Sequence, residues 1–221
     1  MSQRVVIIGA NRGIGLEFAR QYQGKGYTVV ALCRKASQAL KNVGCRIVED
    51  VEVDNDGSMQ QLADRIPLEQ IDILIHNSGI LESDQFPQID MAKMLEHFNV
   101  NTLGPLRSIL ALKPLLNSGS KVGIVSSRVG SIEDNTSSDN YAYRVSKTAV
   151  NMVGKCLSID LKEDGIAVAL LHPGYVRTDM TNKNGLIDAD ESAAGLIERM
   201  DELSLQTTGI FVHTNGEQLP W

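Results

Sequence analysis

The sequence has few of the residues that mark exported, metal-binding or nucleic-acid-binding proteins. Its 221 residues include three cysteines, Cys33, Cys45 and Cys156, which are scattered and lack metal-ligand spacing. We therefore expect reduced thiols and no metal site. With 27 acidic and 21 basic residues the net charge is −6. This balance leaves no broad basic face for a phosphate backbone, so we expect no nucleic-acid partner.

Long apolar runs and a secretory leader are also lacking. No segment is apolar over the length that a bilayer requires, which argues against a membrane partner. The first four residues lead directly into an apolar strand, without the regions of a secretory signal. Hydrophobic residues make up 43% and charged residues 22%, which favours a soluble, cytoplasmic, folded protein. The length fits one domain over residues 1–221.

Short β-branched runs alternate with helical stretches along the chain. Several of these runs are apolar at every position, as expected for strands covered by helices on both faces of a sheet. We predict an α/β fold, a single Rossmann-type doubly wound parallel sheet of about seven strands with helices on both faces. The predicted strands cover residues 4–8, 28–33, 46–51, 71–76, 122–126, 166–172 and 210–213.

Two long helices are predicted, over residues 91–116 with a bend at Gly104-Pro105, and over residues 143–163. The polar, Asn-rich stretch 181–185 is typical of a mobile loop. It falls in a predicted small substrate region around residues 178–203 and is a candidate substrate lid.

The first strand runs into a glycine-rich turn, Gly9-Ala10-Asn11-Arg12-Gly13-Ile14-Gly15, and then into a helix. Glycines let the backbone approach a pyrophosphate, and the free N–H groups of a helix start favour its negative charge. This order predicts a dinucleotide site rather than a plain strand-to-helix connection.

The residues that follow the second strand bear on the choice of dinucleotide. An NAD-selective site usually has an acid there for the ribose 2′-hydroxyl, whereas this chain has Cys33 and Arg34. A guanidinium suits a 2′-phosphate, and Arg12 in the turn adds a second positive charge. We therefore predict NADP(H) as the cofactor, with NAD(H) less favoured, against the alternative that both arginines are ordinary solvated residues.

Several further motifs occur in a fixed order along the chain. After the glycine turn come Asn77-Ser78-Gly79, Asn101 in Asn-Val-Asn-Thr-Leu-Gly-Pro, Ser127, Tyr143-Arg144-Val145-Ser146-Lys147, and Pro173-Gly174-Tyr175-Val176-Arg177-Thr178. In these motifs the chain resembles the short-chain dehydrogenase/reductase family over nearly its whole length. The stretch after Ala10 and the closing residues 216–221 are most similar to its C-factor and sniffer-like carbonyl reductase branch.

The resemblance implies which residues contact the cofactor. Glu52-Val53 stands in the register of the family's adenine-contacting Asp-Val pair, although Asp54 lies close enough to compete. His76 and Ser78 depart from the family's Asn-Asn-Ala-Gly pattern, and Ile8 replaces a usual threonine, so local hydrogen bonding should differ there. The expected cofactor residues are Gly9, Asn11, Arg12, Gly13, Ile14, Gly15, Arg34, Glu52, Val53, Asn77, Ser78, Gly79, Tyr143, Lys147, Pro173, Gly174, Val176 and Thr178.

Tyr143 and Lys147 are four residues apart, which places both side chains on one face of a helix. A free phenol has a pKa near 10, too high for easy proton exchange at neutral pH. An ammonium at about 5 Å, with an effective dielectric of about 20, favours the phenolate by roughly 3 kcal/mol before desolvation opposes it. We expect this attraction to lower the pKa of Tyr143. The spacing alone is common on helix surfaces, and the surrounding motifs make it significant.

The resemblance implies the role of each catalytic residue. Tyr143 would be the general acid/base, Ser127 would polarise the substrate carbonyl, and Lys147 would also hold the nicotinamide ribose. Asn101 would complete the tetrad in a bent helix and support a proton-relay water. Tyr141 also precedes the helix, but only Tyr143 has the four-residue spacing to Lys147.

Two functions remain open from the sequence. The first is an NADP-dependent oxidoreductase that transfers hydride between nicotinamide and a small carbonyl or alcohol. The second is a C-factor-like dinucleotide-binding signalling or regulatory protein with incidental catalysis. A hydrolase triad of Ser127, His172 and a carboxylate is disfavoured because no Gly-x-Ser-x-Gly elbow surrounds the serine. Family members often pair through the two long helices, so a homodimer is a further expectation.

Overall fold

Residues Ser2–Trp221 are described by a computed structural model of the chain. Within this range the strands form one seven-stranded sheet in the order β3-β2-β1-β4-β5-β6-β7. All neighbouring strands are parallel. The strands are β1 Arg4–Ile8, β2 Thr28–Leu32, β3 Arg46–Val48, β4 Ile71–His76, β5 Leu116–Val125, β6 Ala167–His172 and β7 Ile210–His213.

The predicted doubly wound parallel sheet is confirmed, and each predicted strand overlaps an observed one. The chain reverses direction across the sheet between β3 and β4, which lie on opposite sides of β1. In such sheets the ligand crevice lies beyond the carboxyl ends of the strands at this reversal. The strand order therefore places the glycine turn after β1 beside the end of β4.

Helices cover both faces of the sheet and divide the apolar core in two. One cluster includes Phe18, Tyr22, Ile75, Leu196 and Met200, beneath the first and last helices. The other packs side chains of β1 to β6 against the middle helices, and a small third cluster joins Leu170, Phe211 and Leu219. The helices are α1 Gly13–Gly24, α2 Gln38–Lys41, α3 Asp56–Met59, α4 Leu62–Arg65, α5 Met91–Phe98, α6 Gly104–Leu112, α7 Tyr141–Asp160 and α8 Ala189–Glu202.

The long helix predicted over residues 91–116 is interrupted. A π-helical segment, Asn99–Leu103, separates α5 from α6, and a 3-10 turn, Lys113–Leu115, precedes β5. The irregularity lies before Gly104-Pro105. These two residues begin α6, and a proline is tolerated in the first turn of a helix. The irregularity in this region is thus the π-helical segment around Asn101, not a bend at Gly104-Pro105.

The second long helix starts and ends earlier than predicted. α7 runs from Tyr141 to Asp160, whereas the sequence pattern suggested residues 143–163. The chain then turns through Gly165, which has a positive φ of 72°. The earlier start places Tyr143 inside the first turn of the helix, where its position depends on how that turn is capped.

Candidate active site

The glycine turn forms a close contact between β1, α1 and the end of β4. A Cβ atom at Gly15 would lie 2.0 Å from the Gly9 carbonyl oxygen and 2.7 Å from Asn77 Nδ2. Gly9 has a φ of 83° and Gly13 a φ of 54°, a region that side chains disfavour. The Asn77 side chain donates to the Gly9 carbonyl at 3.0 Å. These contacts explain why small residues are required at this turn.

The start of α1 fits a bound pyrophosphate. Within the described chain, Arg12 at the N-cap supplies no side-chain hydrogen bond, and the first turn contains no acidic residue. The N–H groups there are consequently free to bind an anion. Ser78 lies beside Gly9, since a Cβ at that glycine would come 2.6 Å from Ser78 Oγ.

The two arginines expected at a 2′-phosphate differ in their surroundings. Arg34 is exposed just beyond β2, and its carbonyl accepts from the Asp50 N–H at 3.1 Å. Arg12 is also exposed, and its Nη1 lies 3.6 Å from an Asp179 carboxylate oxygen. Asp179 belongs to the segment after β6, so this weak ion pair links the glycine turn to that segment.

The expected adenine pair occupies the segment after β3. Val53 is buried against Gly104, because a Cβ at that glycine would lie 3.1 Å from Val53 Cγ2. Glu52 is exposed, and its N–H donates to Ser58 Oγ at 2.9 Å. Asp54 is exposed as well, and its carbonyl accepts from Asn99. The assignment of Glu52 rather than Asp54 as the adenine contact stays a prediction.

Ser127 and Tyr143 line one cavity of about 570 Å³ at the carboxyl edge of the sheet. Ser127 follows the end of β5 by two residues and is 8% exposed. Tyr143 comes from the first turn of α7. The cavity also includes Ile14 of the glycine turn and Gly174 after β6. The structure thus brings four predicted site residues from distant parts of the chain to one crevice.

Lys147 lies behind this cavity with its amine directed towards the end of β5. Its Nζ donates to the Val125 carbonyl at 2.9 Å and is 5.6 Å from the centre of the Tyr143 ring. The residue is 4% exposed. Gly79 lies alongside, since a Cβ there would come within 3.7 Å of this Nζ. The helical spacing therefore brings the phenol and amine together as predicted.

The electrostatic expectation for this pair is wrong in its direction. Burial raises the pKa of Tyr143 to about 12, and the Ser127 hydroxyl offsets only part of that rise. Burial also lowers the pKa of Lys147 to about 8. Desolvation disfavours the charged form of both groups, and it is the largest cause of both shifts. Tyr143 is consequently a neutral proton donor at neutral pH.

Asn101 occupies the π-helical segment and connects three parts of the site. Its Oδ1 accepts from the Ile80 N–H at 2.8 Å, and its Nδ2 donates to the Ile80 carbonyl and to Ser146 Oγ. The residue is completely buried. Asn101 thereby ties the loop after β4 to α7, one residue before Lys147.

His76 illustrates the departure from the family pattern after β4. In the part of the chain that the structure describes, neither nitrogen of this buried ring has a hydrogen-bond partner. Burial, followed by the nearby Lys147, lowers the pKa of His76 to about 3. The imidazole is therefore neutral, and it replaces an amide with a side chain that makes no polar contact here.

The segment after β6 forms another wall of the cavity. Pro173, Gly174, Val176 and Thr178 all line it, and Gly174 has a positive φ of 84°. Thr178 approaches the glycine turn, since a Cβ at Gly13 would lie 3.4 Å from its Cγ2. The segment after β6 and the glycine turn, which are expected to bind the two halves of the cofactor, are therefore adjacent.

The candidate lid is a hydrogen-bonded turn beside the cavity. The Lys183 N–H donates to the Thr178 carbonyl at 2.7 Å, and Thr181 Oγ1 donates to the Val176 carbonyl at 2.7 Å. Met180 and Thr181 line the cavity. The predicted loop therefore borders the expected site, although its backbone is more regular than the composition suggested. Its role as a lid stays a prediction.

A polar part of the cavity wall was not predicted from the sequence. It is formed by Arg128, residues 134–137 and Asn140. Arg144 of α7 holds this wall, donating to Asn135 Oδ1 at 3.0 Å and to Ser137 Oγ at 2.8 Å. In the sequence this wall is a run of Asp, Asn, Thr and Ser before the helix, and such a run is typical of any polar loop.

His172 is a second missed cavity residue. It ends β6 in register with His213, and the two rings pack edge to face with centres 4.8 Å apart. Burial, His213 and Arg128 lower its pKa to about 3. From the sequence, His172 was a candidate only for the disfavoured hydrolase triad. Its neutral ring is instead part of the wall near Ser127 and Arg128.

Known proteins with similar sequences identify the class to which this chain belongs. A family profile described as short chain dehydrogenase matches residues 3–186. The chain belongs to the short-chain dehydrogenase/reductase family, as the motifs predicted, and is an oxidoreductase of that family. Among residues Ser2–Trp221, no helix has the length and apolar character needed to cross a membrane.

Two relatives show which members of the family this chain resembles. The 1-hydroxy-2-glutathionyl-2-methyl-3-butene dehydrogenase of Rhodococcus sp. (strain AD45) is 41% identical over 223 residues, covering 98% of this chain and 99% of that protein. C-signal of Myxococcus xanthus is 37% identical over 166 residues, covering 74% of this chain and all of C-signal. The predicted C-factor resemblance is thereby confirmed.

Solved structures agree with this placement. The NADPH-bound carbonyl reductase from chicken fatty liver superposes with a TM-score of 0.90 at 29% identity, covering 100% of this chain and 99% of the other. The carbonyl reductase Sniffer of D. melanogaster gives a TM-score of 0.91 at 28% identity, with both chains fully covered. The sniffer-like part of the resemblance is confirmed as well.

Proposed function

We propose that this protein is an NADP(H)-dependent oxidoreductase that interconverts a small carbonyl compound and its alcohol. The observation that carries the proposal is the shared cavity of Ser127 and Tyr143, with Lys147 Nζ 5.6 Å from the tyrosine ring. These are the groups that such a reaction needs, a hydrogen-bond donor for the carbonyl, a proton donor and a cation beside it.

The residues around the glycine turn fit a dinucleotide. The uncapped start of α1 suits a pyrophosphate, and we assign Gly9 to Gly15 and Asn77 to Gly79 to this cradle. Pro173, Gly174, Val176, Thr178 and Lys147 would hold the nicotinamide half. Exposed Arg34 and Arg12 would bind a 2′-phosphate, and relatives of this fold hold NADPH or NADP. The nicotinamide, when bound, supplies or accepts the hydride.

The chain's own residues handle the proton. In reduction, Ser127 donates a hydrogen bond to the substrate carbonyl oxygen and orients it towards Tyr143. Tyr143 is protonated at neutral pH, since its pKa is about 12, and it transfers its phenolic proton to that oxygen as negative charge develops there. Lys147 stabilises the phenolate that remains, and Asn101 holds the loop and helix that surround the pair.

The cavity indicates the kind of substrate. A volume of about 570 Å³ suits a small molecule. Part of the lining is apolar, with Tyr175, Val176 and Met180, and another part is polar, with Arg128 and residues 134–137. We infer a substrate with an apolar reacting part and a polar arm. The Rhodococcus relative is named for an alcohol that carries a glutathionyl group, so alcohols with such an arm belong among the compounds to test.

A dinucleotide-binding regulatory protein is the second candidate. It is favoured by the 37% identity to C-signal. Such a protein would need the glycine turn but no proton donor in the cavity. The function would then be binding, with little dependence of the protein's role on Tyr143.

Exchange of one tyrosine tests the proposal. Tyr143→Phe removes the phenolic proton, and we expect kcat to fall by about a hundredfold or more while NADPH affinity stays within about twofold. Tyr141→Phe is the matched control, because Tyr141 stands in the same helical turn and is not among the residues lining the cavity. NADPH oxidation would be followed with aldehydes, ketones, quinones and, in reverse, a glutathionyl alcohol. Undiminished turnover by Tyr143→Phe would refute the mechanism.

We also propose a cytoplasmic homodimer. Three free cysteines suit a reducing compartment. Apolar side chains on α5 and α7 are exposed, among them Leu95 at 71% and Met152 at 66%. A second copy of the chain would cover them if the two helices pair.

A further inference from the structure

The catalytic helix α7 is capped by a residue from a distant loop. Asn140 precedes the helix with a left-handed φ of 48°, and in the described chain its side chain provides no cap. The first N–H groups of a helix have no partner within the helix and need an outside acceptor. That acceptor is Asp84, in the loop between β4 and α5.

Asp84 holds the start of α7 through three hydrogen bonds. Its carboxylate accepts from the N–H of Tyr141 and from the N–H of Ala142, the latter at 3.1 Å. Its backbone carbonyl accepts from the Asn140 N–H at 2.8 Å. A negative charge at this end of a helix is also favoured by the helix dipole. One residue therefore accepts hydrogen bonds from three successive N–H groups at the start of the helix.

Tyr143 is the third residue of that turn. Lys147, one turn further on, has its own anchor at the Val125 carbonyl, and Ser127 belongs to a different segment. Loss of the cap would consequently move the tyrosine relative to two groups that stay in place. A displacement of about 1 Å at a reacting group is enough to lower turnover strongly.

The loop that carries Asp84 is itself anchored at the site. It starts at Asn77, which donates to the Gly9 carbonyl, and Asn101 binds both backbone polar groups of Ile80. Asp84 therefore connects the glycine-turn side of the crevice to the catalytic helix through a short, hydrogen-bonded stretch.

From these contacts we propose that Asp84 is a positioning residue for the reaction, holding Tyr143 in line with Ser127. The inference rests on the proposed function, because it assumes that Tyr143 transfers the proton. Asp84 does not line the cavity with Tyr143, so its effect is exerted through the helix.

Asp90 offers a matched control. It caps α5, with its carboxylate accepting from the Ala92 N–H at 2.8 Å, and no predicted catalytic residue lies in that helix. Asp84→Ala removes two side-chain capping hydrogen bonds and Asp90→Ala removes one, so each variant loses stabilisation of a helix start. Only loss of the Asp84 cap should affect proton transfer.

The experiment compares Asp84→Ala with Asp90→Ala in the full chain, well below both melting temperatures. We expect Asp84→Ala to lower kcat about tenfold or more, with the dissociation constant of NADPH within about twofold of the wild type. Asp90→Ala should keep kcat within about twofold. Asp84→Asn retains one acceptor oxygen and should recover part of the lost kcat.

The outcomes separate this inference from the proposed function. Equal kcat in the two alanine variants, or a loss confined to NADPH binding, would overturn the positioning role. Should Asp84→Ala fail to fold, Asp84→Asn against Asp90→Asn gives the same comparison. If Tyr143→Phe retains full turnover, the proposed function itself fails. If Tyr143→Phe is inactive and the Asp84 variants match the Asp90 variants, only the inference about Asp84 fails.

Discussion

Lys147→Met is the perturbation whose energetic effect follows most directly from the structure. Lys147 is 4% exposed, and burial lowers its pKa from 10.5 to about 8. Since one pKa unit corresponds to about 1.4 kcal/mol, keeping this amine charged in the folded protein costs about 3 kcal/mol. Methionine has a similar length and carries no charge, so the variant is free of that cost.

The pH dependence of stability follows from the two pKa values. Between about pH 8 and pH 10.5 the unfolded chain binds a proton at Lys147 that the folded protein has released. The free energy of unfolding of the wild type therefore rises across this window, and the penalty is fully present below it. In Lys147→Met this contribution is absent. The stability of the variant relative to the wild type should accordingly fall by about 3 kcal/mol as the pH rises through the window.

Urea unfolding followed by circular dichroism at about pH 7 and about pH 10.5 measures this difference. Both proteins contain the other titrating groups, including Tyr22, so those contributions cancel in the comparison. The Val125 carbonyl loses its donor in the variant, which adds an offset of similar size at both pH values. NADPH-dependent turnover of the variant should be abolished or nearly so.

If the free energies of unfolding of the variant and the wild type differ by the same amount at both pH values, the reasoning is refuted. It would mean that Lys147 titrates near its ordinary pKa in the folded protein, with water reaching the amine. The account of desolvation at the Tyr143 and Lys147 pair would then be wrong as well.

Two further predictions concern the cofactor site. Gly15→Ala should abolish NADPH binding in a fluorescence titration, because the new Cβ would lie 2.0 Å from the Gly9 carbonyl; Gly24→Ala, where a Cβ meets nothing within 4 Å, is the control and should bind normally. Arg34→Ala should weaken NADPH binding by about tenfold and leave NADH binding nearly unchanged, with Arg46→Ala, an exposed arginine at the first residue of β3, as control. Equal or better use of NADH by the wild type would contradict the assigned preference.

Local patterns were sufficient for most of the fold. The apolar strands, the glycine turn and the two long helices follow from residues that are close in sequence, and the structure confirms them with shifts at their ends. The local pattern predicted a bend at Gly104-Pro105, whereas the irregularity observed is the π-helical segment Asn99–Leu103. Such boundaries depend on packing against neighbouring elements, which a local pattern does not contain.

The sequence by itself determined the chemical groups and the order in which they occur along the chain. A phenol and an amine one helical turn apart lie on one face of a helix wherever that helix packs, and glycines permit a tight turn between a strand and a helix in any fold. Only the tertiary structure decided that burial raises the pKa of Tyr143, that residues 134–137 form a polar wall, and that Asp84 caps the catalytic helix. These properties depend on desolvation and on contacts between residues far apart in the chain, so they exist only once the chain has folded.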